Sequence, residues 1–156
     1  MRTSFGPAAI LAALAVAGAA PAAAATTKHH HHVDHSARPQ VGKASYYART
    51  LTGAETASGK TVKATAMTAA SKTLPIGTVA KVTNVRTGKT AVVTVEDRGP
   101  FVDGRTVDLT RHTAQEIGIT RKEGVAPVVV APVAVPQPDG SIKPGAGAVP
   151  GPATGQ

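Results

Sequence analysis

The chain has no cysteine and no tryptophan among its 156 residues, and only two tyrosines and two phenylalanines. Without cysteine no disulfide can staple the fold, so core packing alone must hold it. So few rings exclude an extended stacking platform for nucleic acid, and no nucleic-acid recognition motif is present. Acids are scarce as well: 9 Asp and Glu against 17 Lys and Arg give a formal net charge of +8. Long apolar runs are limited to Ala8 through Ala20, which is short for a membrane span.

What is present begins with that run. Met1-Arg2 precedes it and the small residues Pro21 to Ala25 follow it, the pattern of a secretory signal peptide over residues 1–25. The mature protein is expected outside the cytoplasm, in the periplasm, the cell wall or the medium. No stable membrane anchor is expected, because no cysteine is available for a lipid. A basic exported protein suits anionic wall polymers, although bases scattered along the chain also serve plain solubility.

Residues 26–40 form a polar linker with His29, His30, His31, His32 and His35. Such a tract can hold a metal loosely, yet a string of imidazoles lacks the fixed geometry of a metal site. A solvated linker is the competing reading, and no cofactor is implied. Residues 41–130 then read as one small β domain with a core of Val, Ile, Leu and Ala. Short strands are expected at Ala44 to Ala48, Ala64 to Ala70, Thr78 to Val85, Thr90 to Asp97, Val107 to Thr110 and Val125 to Val130. Pro127 marks the last of these as a candidate edge strand. Thr110 is placed to cap one helix that runs through Ile117 and stops at Gly118. Residues 131–156, rich in Pro, Gly and Ala, read as a disordered or polyproline tail.

Thr90 to Asp97 carries the chemistry. Side chains alternate along a strand, so Ala91, Val93, Val95 and Asp97 share one face. Asp97 therefore sits on the inward parity at the rim, and Glu96 is expected toward solvent. A carboxylate at an apolar rim can handle protons or bind a ligand. The bland alternative is an ion pair of Asp97 with Arg105 that locks the loop. Asp108 is a second candidate, or a turn and cap ligand. Tyr47 and Phe101 are rings that could line a saccharide groove, with Arg98 and Arg105 as donors beside the acid. A monomer is expected.

Several stretches resemble the rare lipoprotein A (RlpA) family. They are Gly42-Lys43-Ala44-Ser45-Tyr46-Tyr47, Thr56-Ala57-Ser58-Gly59, Thr68-Ala69-Ala70, Thr73-Leu74-Pro75-Ile76-Gly77-Thr78, Val82-Thr83-Asn84, Asp97-Arg98-Gly99-Pro100-Phe101 and Val107-Asp108-Leu109-Thr110. The resemblance implies a mostly β fold, a six-stranded double-psi β-barrel with one short helix. It also implies a peptidoglycan lytic transglycosylase that cuts glycan strands and leaves anhydro-muramic acid ends, with Asp97 catalytic. Tyr47, Arg98, Phe101, Arg105 and Asp108 would then bind substrate. Three polar positions depart from the family pattern: Lys60 stands for a glutamate, Lys63 for an aspartate and Ser71 for a histidine. These replacements keep a second reading open, a non-catalytic wall-binding or expansin-like module.

Overall fold

The computed structural model describes residues 32–148. The proposed signal peptide and His29 to His31 lie outside them. Within them, seven strands and one α-helix follow in chain order: β1 (Gln40–Tyr46), β2 (Thr68–Ser71), β3 (Val79–Asn84), β4 (Thr90–Asp97), β5 (Arg105–Leu109), α1 (Arg111–Glu116), β6 (Ala126–Pro136) and β7 (Ile142–Pro144). The first six strands are ordered β1-β5-β2-β4-β3-β6, and β6 pairs back onto β1, so they close into a barrel. β1 runs parallel to β5 and β2 parallel to β4, while the other pairs are antiparallel. This is the six-stranded double-psi barrel with a single short helix that the resemblance implied. Closure leaves the six strands no open edge.

The barrel is built on alternation. Ala91, Val93 and Val95 of β4 point inward, as do Ala80, Val82 and Asn84 of β3. They meet Leu74, Val107, Leu109, Ile117, Ile119, Val128 and Val130 in one aliphatic core. Each buried Val, Leu or Ile among them contributes about 1.5–3 kcal/mol by leaving water. Asn84 is the polar exception, and it is satisfied: its amide donates to Ile117 O at 2.9 Å and accepts from Arg86 N at 2.9 Å. Thr110 caps α1 by accepting from Thr113 N, and Gly118 leaves the helix at φ +80°.

Three segments differ from the sequence reading. The second strand is shorter than Ala64 to Ala70, covering only Thr68–Ser71. β6 is not an edge strand, because β1 and β3 flank it. Pro127 is tolerated there because its carbonyl accepts from Val85 N, so its ring nitrogen faces the side where β3 has already ended. The described part of the tail is likewise not disordered. β6 continues to Pro136, β7 folds back on it, and Val135 is fully buried. Prolines fit because they keep their acceptors: Pro132 O takes Gly147 N at 2.7 Å. The end of the linker is docked too, with Asp34 N donating to Thr73 O at 2.7 Å and His35 Nδ1 lying 2.9 Å from Pro136 O.

One glycine in β1 is required by close approach. A Cβ at Gly42 would meet Thr106 Oγ1 at 1.8 Å. Gly42→Ala is therefore expected to destabilise the fold by about 1–3 kcal/mol through overpacking. Thermal melts check this, and Thr106→Ala in the same chain should restore most of the loss.

Candidate functional site

Asp97 is the last residue of β4 and is partly buried. Its Oδ1 accepts from Ala57 N at 3.0 Å and from Arg98 N at 2.8 Å. Its Oδ2 accepts from the Tyr47 hydroxyl at 3.3 Å. The alternative ion pair with Arg105 does not form, since Arg105 Nη2 instead contacts Asp108 Oδ2 at 3.2 Å. A carboxylate offers about four acceptor positions. Three are taken by neutral donors, so Oδ2 keeps room for one more. Ala57 was not anticipated as a functional residue because its contribution is a backbone N–H. The Thr56-Ala57-Ser58-Gly59 loop presents it, pinned by Ser58 N to Glu96 O at 3.0 Å.

Tyr47 is half-buried. Burial and the neighbouring Asp97 charge push its phenol well above the ordinary value, with smaller pushes from Asp108 and Glu96. It therefore stays protonated and donates. The sign of the linkage follows: stability is unaffected below about pH 10 and falls above it, because the unfolded chain gives up its phenolic proton first. Absorbance titration of the two tyrosines should show one late step, and Tyr47→Phe should remove it. A single shared step near the ordinary value would contradict this placement.

The other candidates separate into distinct places. Arg98 points away from the acid and donates to Ser71 O at 3.2 Å and Leu74 O at 2.6 Å, so it ties β4 to the turn after β2. Burial lowers its pKa, with Asp97 opposing. Asp108 is not a helix cap; it takes the Ser45 hydroxyl and the Arg105 guanidinium. Ser45 carried no signal of this because the contact depends on the parallel β1–β5 pair. Ser71 is buried, and its Oγ accepts from Leu74 N at 3.1 Å, which makes it part of the turn. Phe101 is 73% exposed in the loop after Asp97. Tyr46 packs on the core, with the Arg111 guanidinium 5.1 Å from its ring centre.

Glu96 corrects an expectation. Its side chain is only 14% exposed, and Lys60 Nζ sits 2.5 Å from its Oε1. The cause is a register shift: Ala69 pairs with Val95 and Ala70 with Asp97, so Glu96 is the extra residue, and Lys60, just after the pinned loop, covers it. Lys60 is thus paired with Glu96. Of the histidine tract, His32 and His35 are described. Among the described residues no three His, Asp or Glu side chains come together as metal ligands.

β2 organises the surface around the acid. Ala70 lies between Asp97 of β4 and Asp108 of β5, placing the two carboxylate-bearing residues two strand spacings apart, about 10 Å. Thr68, two residues back, borders a depression of about 400 Å³ lined by Gly59, Lys60, Thr61, Lys63, Ala66 and Glu96. Lys72, two residues on, borders another of about 350 Å³ lined by Asp34, Gln40, Thr73, Arg105 and Thr106. Ala70, the ladder partner of Asp97, thus lies between Thr68 and Lys72 along β2, and each of those two residues borders one depression.

The fold and site define a closed double-psi β-barrel module that carries an acid between two surface depressions. The chain belongs to the lytic transglycolase family, whose model matches residues 39–130, more than half of its length. It is 45% identical over 97 residues to the endolytic peptidoglycan transglycosylase RlpA of Vibrio cholerae, covering 62% of this chain and 36% of that protein. It is 49% identical over 78 residues to the probable endolytic peptidoglycan transglycosylase RlpA of a Synechocystis strain, covering 50% of this chain and 24% of that protein. The chain thus spans about a quarter to a third of these relatives' length. Among solved structures, the apo expansin of Clavibacter michiganensis matches with a TM-score of 0.50 and 23% identity, over 61% of this chain and 50% of that one. That likeness concerns the fold.

Proposed function

We propose that the protein is an exported endolytic transglycosylase that cuts peptidoglycan glycan strands and leaves anhydro-muramic acid ends. The observation that carries this reading is Asp97: held by three neutral donors, in no ion pair among the described residues, and paired with Ala70 of β2 between the two depressions. In the proposed reaction the Asp97 carboxyl protonates the bridging oxygen as the C1–O bond breaks. The 6-hydroxyl of the same muramic acid closes on C1 and gives its proton back to the carboxylate, so the acid is regenerated. The nucleophile is already tethered, so no second carboxylate is needed to activate water. Tyr47 orients Oδ2, and the backbone N–H groups of Ala57 and Arg98 fix Oδ1. Export is supported by the Met1 to Ala25 pattern.

Incubation of the mature protein with glycan strands, followed by mass spectrometry, tests the reaction. Fragments ending in anhydro-muramic acid are expected. A second reading, a wall-binding module without catalysis, is favoured by Lys60, Lys63 and Ser71, which supply no acid where the family pattern has polar groups. No fragment release with retained binding to insoluble wall would decide for it.

A further inference from the structure

We propose that Lys60 is a positioning residue: its ion pair with Glu96 latches the turn Thr56 to Lys60 onto the end of β4 and so fixes the Ala57 N–H on Asp97. This rests on the transglycosylase reading above and names the residue that keeps its acid in place.

The turn is the tip of a small hairpin. Glu55 and Thr61 form a bridge, Gly53 N donates to Val62 O at 3.0 Å, and Val62 N donates to Ala54 O at 2.8 Å. The tip is closed by Thr56 N to Lys60 O at 2.7 Å and Gly59 N to Thr56 O at 2.9 Å. Within residues 51–63 only Thr56 and Val62 are buried. So little apolar burial leaves a segment at the low end of local stability, and polar links decide where it rests.

Those links meet β4 at two residues. Ser58 N donates to Glu96 O at 3.0 Å, Ala57 N donates to Asp97 Oδ1 at 3.0 Å, and Lys60 Nζ lies 2.5 Å from Glu96 Oε1. Glu96 thus grips the tip twice, by its carbonyl at Ser58 and by its carboxylate at Lys60. Without the ion pair the tip could swing about the Ser58 link, and the Ala57 N–H would move with it. Glu96 is free to reach Lys60 because it is the extra residue of the register shift, and such an insertion re-aims its side chain. The pair is also unlike an ordinary surface contact. Lys60 is 66% exposed but Glu96 only 14%, so loss of the ammonium would leave a largely desolvated carboxylate without its cation. A glutamate at position 60 would face Glu96 as a like charge, so the latch depends on the lysine that this chain has there.

The test is a double-mutant cycle in the full-length mature protein with Lys60→Met, Glu96→Met, their combination, and Lys60→Arg. Two quantities are measured: the kinetics of anhydro-ended fragment release from glycan strands, and amide hydrogen exchange by NMR. The two single substitutions change the local charge in opposite directions, so an effect exerted through charge alone would have opposite signs. Loss of a latch has one sign. Each single substitution is expected to lower kcat about tenfold with KM within about twofold, the scale of a small misplacement at the reacting group. Exchange at Ala57 and Ser58 should become about fivefold faster, while core amides such as Val93 are unchanged. The combination should be no worse than either single change, and Lys60→Arg should keep both readouts within about twofold of the parent. Opposite signs for the two single changes, additive losses in the combination, or unaltered exchange at Ala57 would overturn the latch and leave the reaction standing. A parent that releases no fragments would overturn the reaction, and the exchange cycle alone would then decide the latch.

Discussion

Asp97→Asn is expected to lower the release of anhydro-ended fragments by about 10²–10⁴-fold, the range for loss of a positioned proton-transfer group. The substitution is close to isosteric. The carboxamide oxygen can still accept from Ala57 N and Arg98 N, while the proton-carrying capacity is gone. The fold should survive, with about 1 kcal/mol lost where the Tyr47 hydroxyl faces an amide instead of a carboxylate. Retained pull-down on insoluble wall, measured beside the fragment assay, separates catalysis from binding. Fragment release within about threefold of the parent would remove Asp97 from the chemistry, because general acid–base groups contribute far more than that. Tyr47→Phe should have a smaller effect, since it removes a hydrogen bond to the acid and leaves the acid itself.

Ending the chain at Val130 should destabilise the domain by about 3–5 kcal/mol, by the scale of one buried valine plus several lost hydrogen bonds. The cut removes the fully buried Val135 and the ladder partners of Val79, Ala80 and Lys81 on β3. It also removes β7 and the acceptor at Pro136 that faces His35. For a domain of this size the melting temperature should drop by more than about 10 °C. Circular dichroism melts of the shortened and full chains decide the matter. Melting points within about 2 °C of each other would mean that the C-terminal strands add nothing to the barrel. The result bears on the site as well, because Asp34, next to the docked His35, forms part of the wall beside Lys72.

What the sequence made legible was local and periodic. Alternation placed Ala91, Val93 and Val95 inward correctly, because β4 runs without a register shift as far as Val95. Capping placed α1, because Thr110 and Gly118 act within one turn of the helix. The misreadings share one cause, contacts between distant parts of the chain. Glu96 is covered because of a register shift between β2 and β4 and the Lys60 side chain folded over it. Asp108 meets Ser45, 63 residues away, through a parallel pairing that no local pattern announces. The C-terminal prolines suggested disorder by composition, yet a strand tolerates them wherever only a carbonyl is wanted. The family motifs supplied the barrel where composition could not.

The first and last described segments touch: Ala146 N donates to Ala37 O at 3.3 Å, a few residues from the contact of His35 with Pro136. The barrel's entrance and exit therefore share one corner, next to Lys72. A short bridge could join them and new termini be cut at the Thr120 to Gly124 turn without unthreading the six strands. Anything joined to the chain at Ala37 and Ala146 would therefore leave from one corner of the barrel.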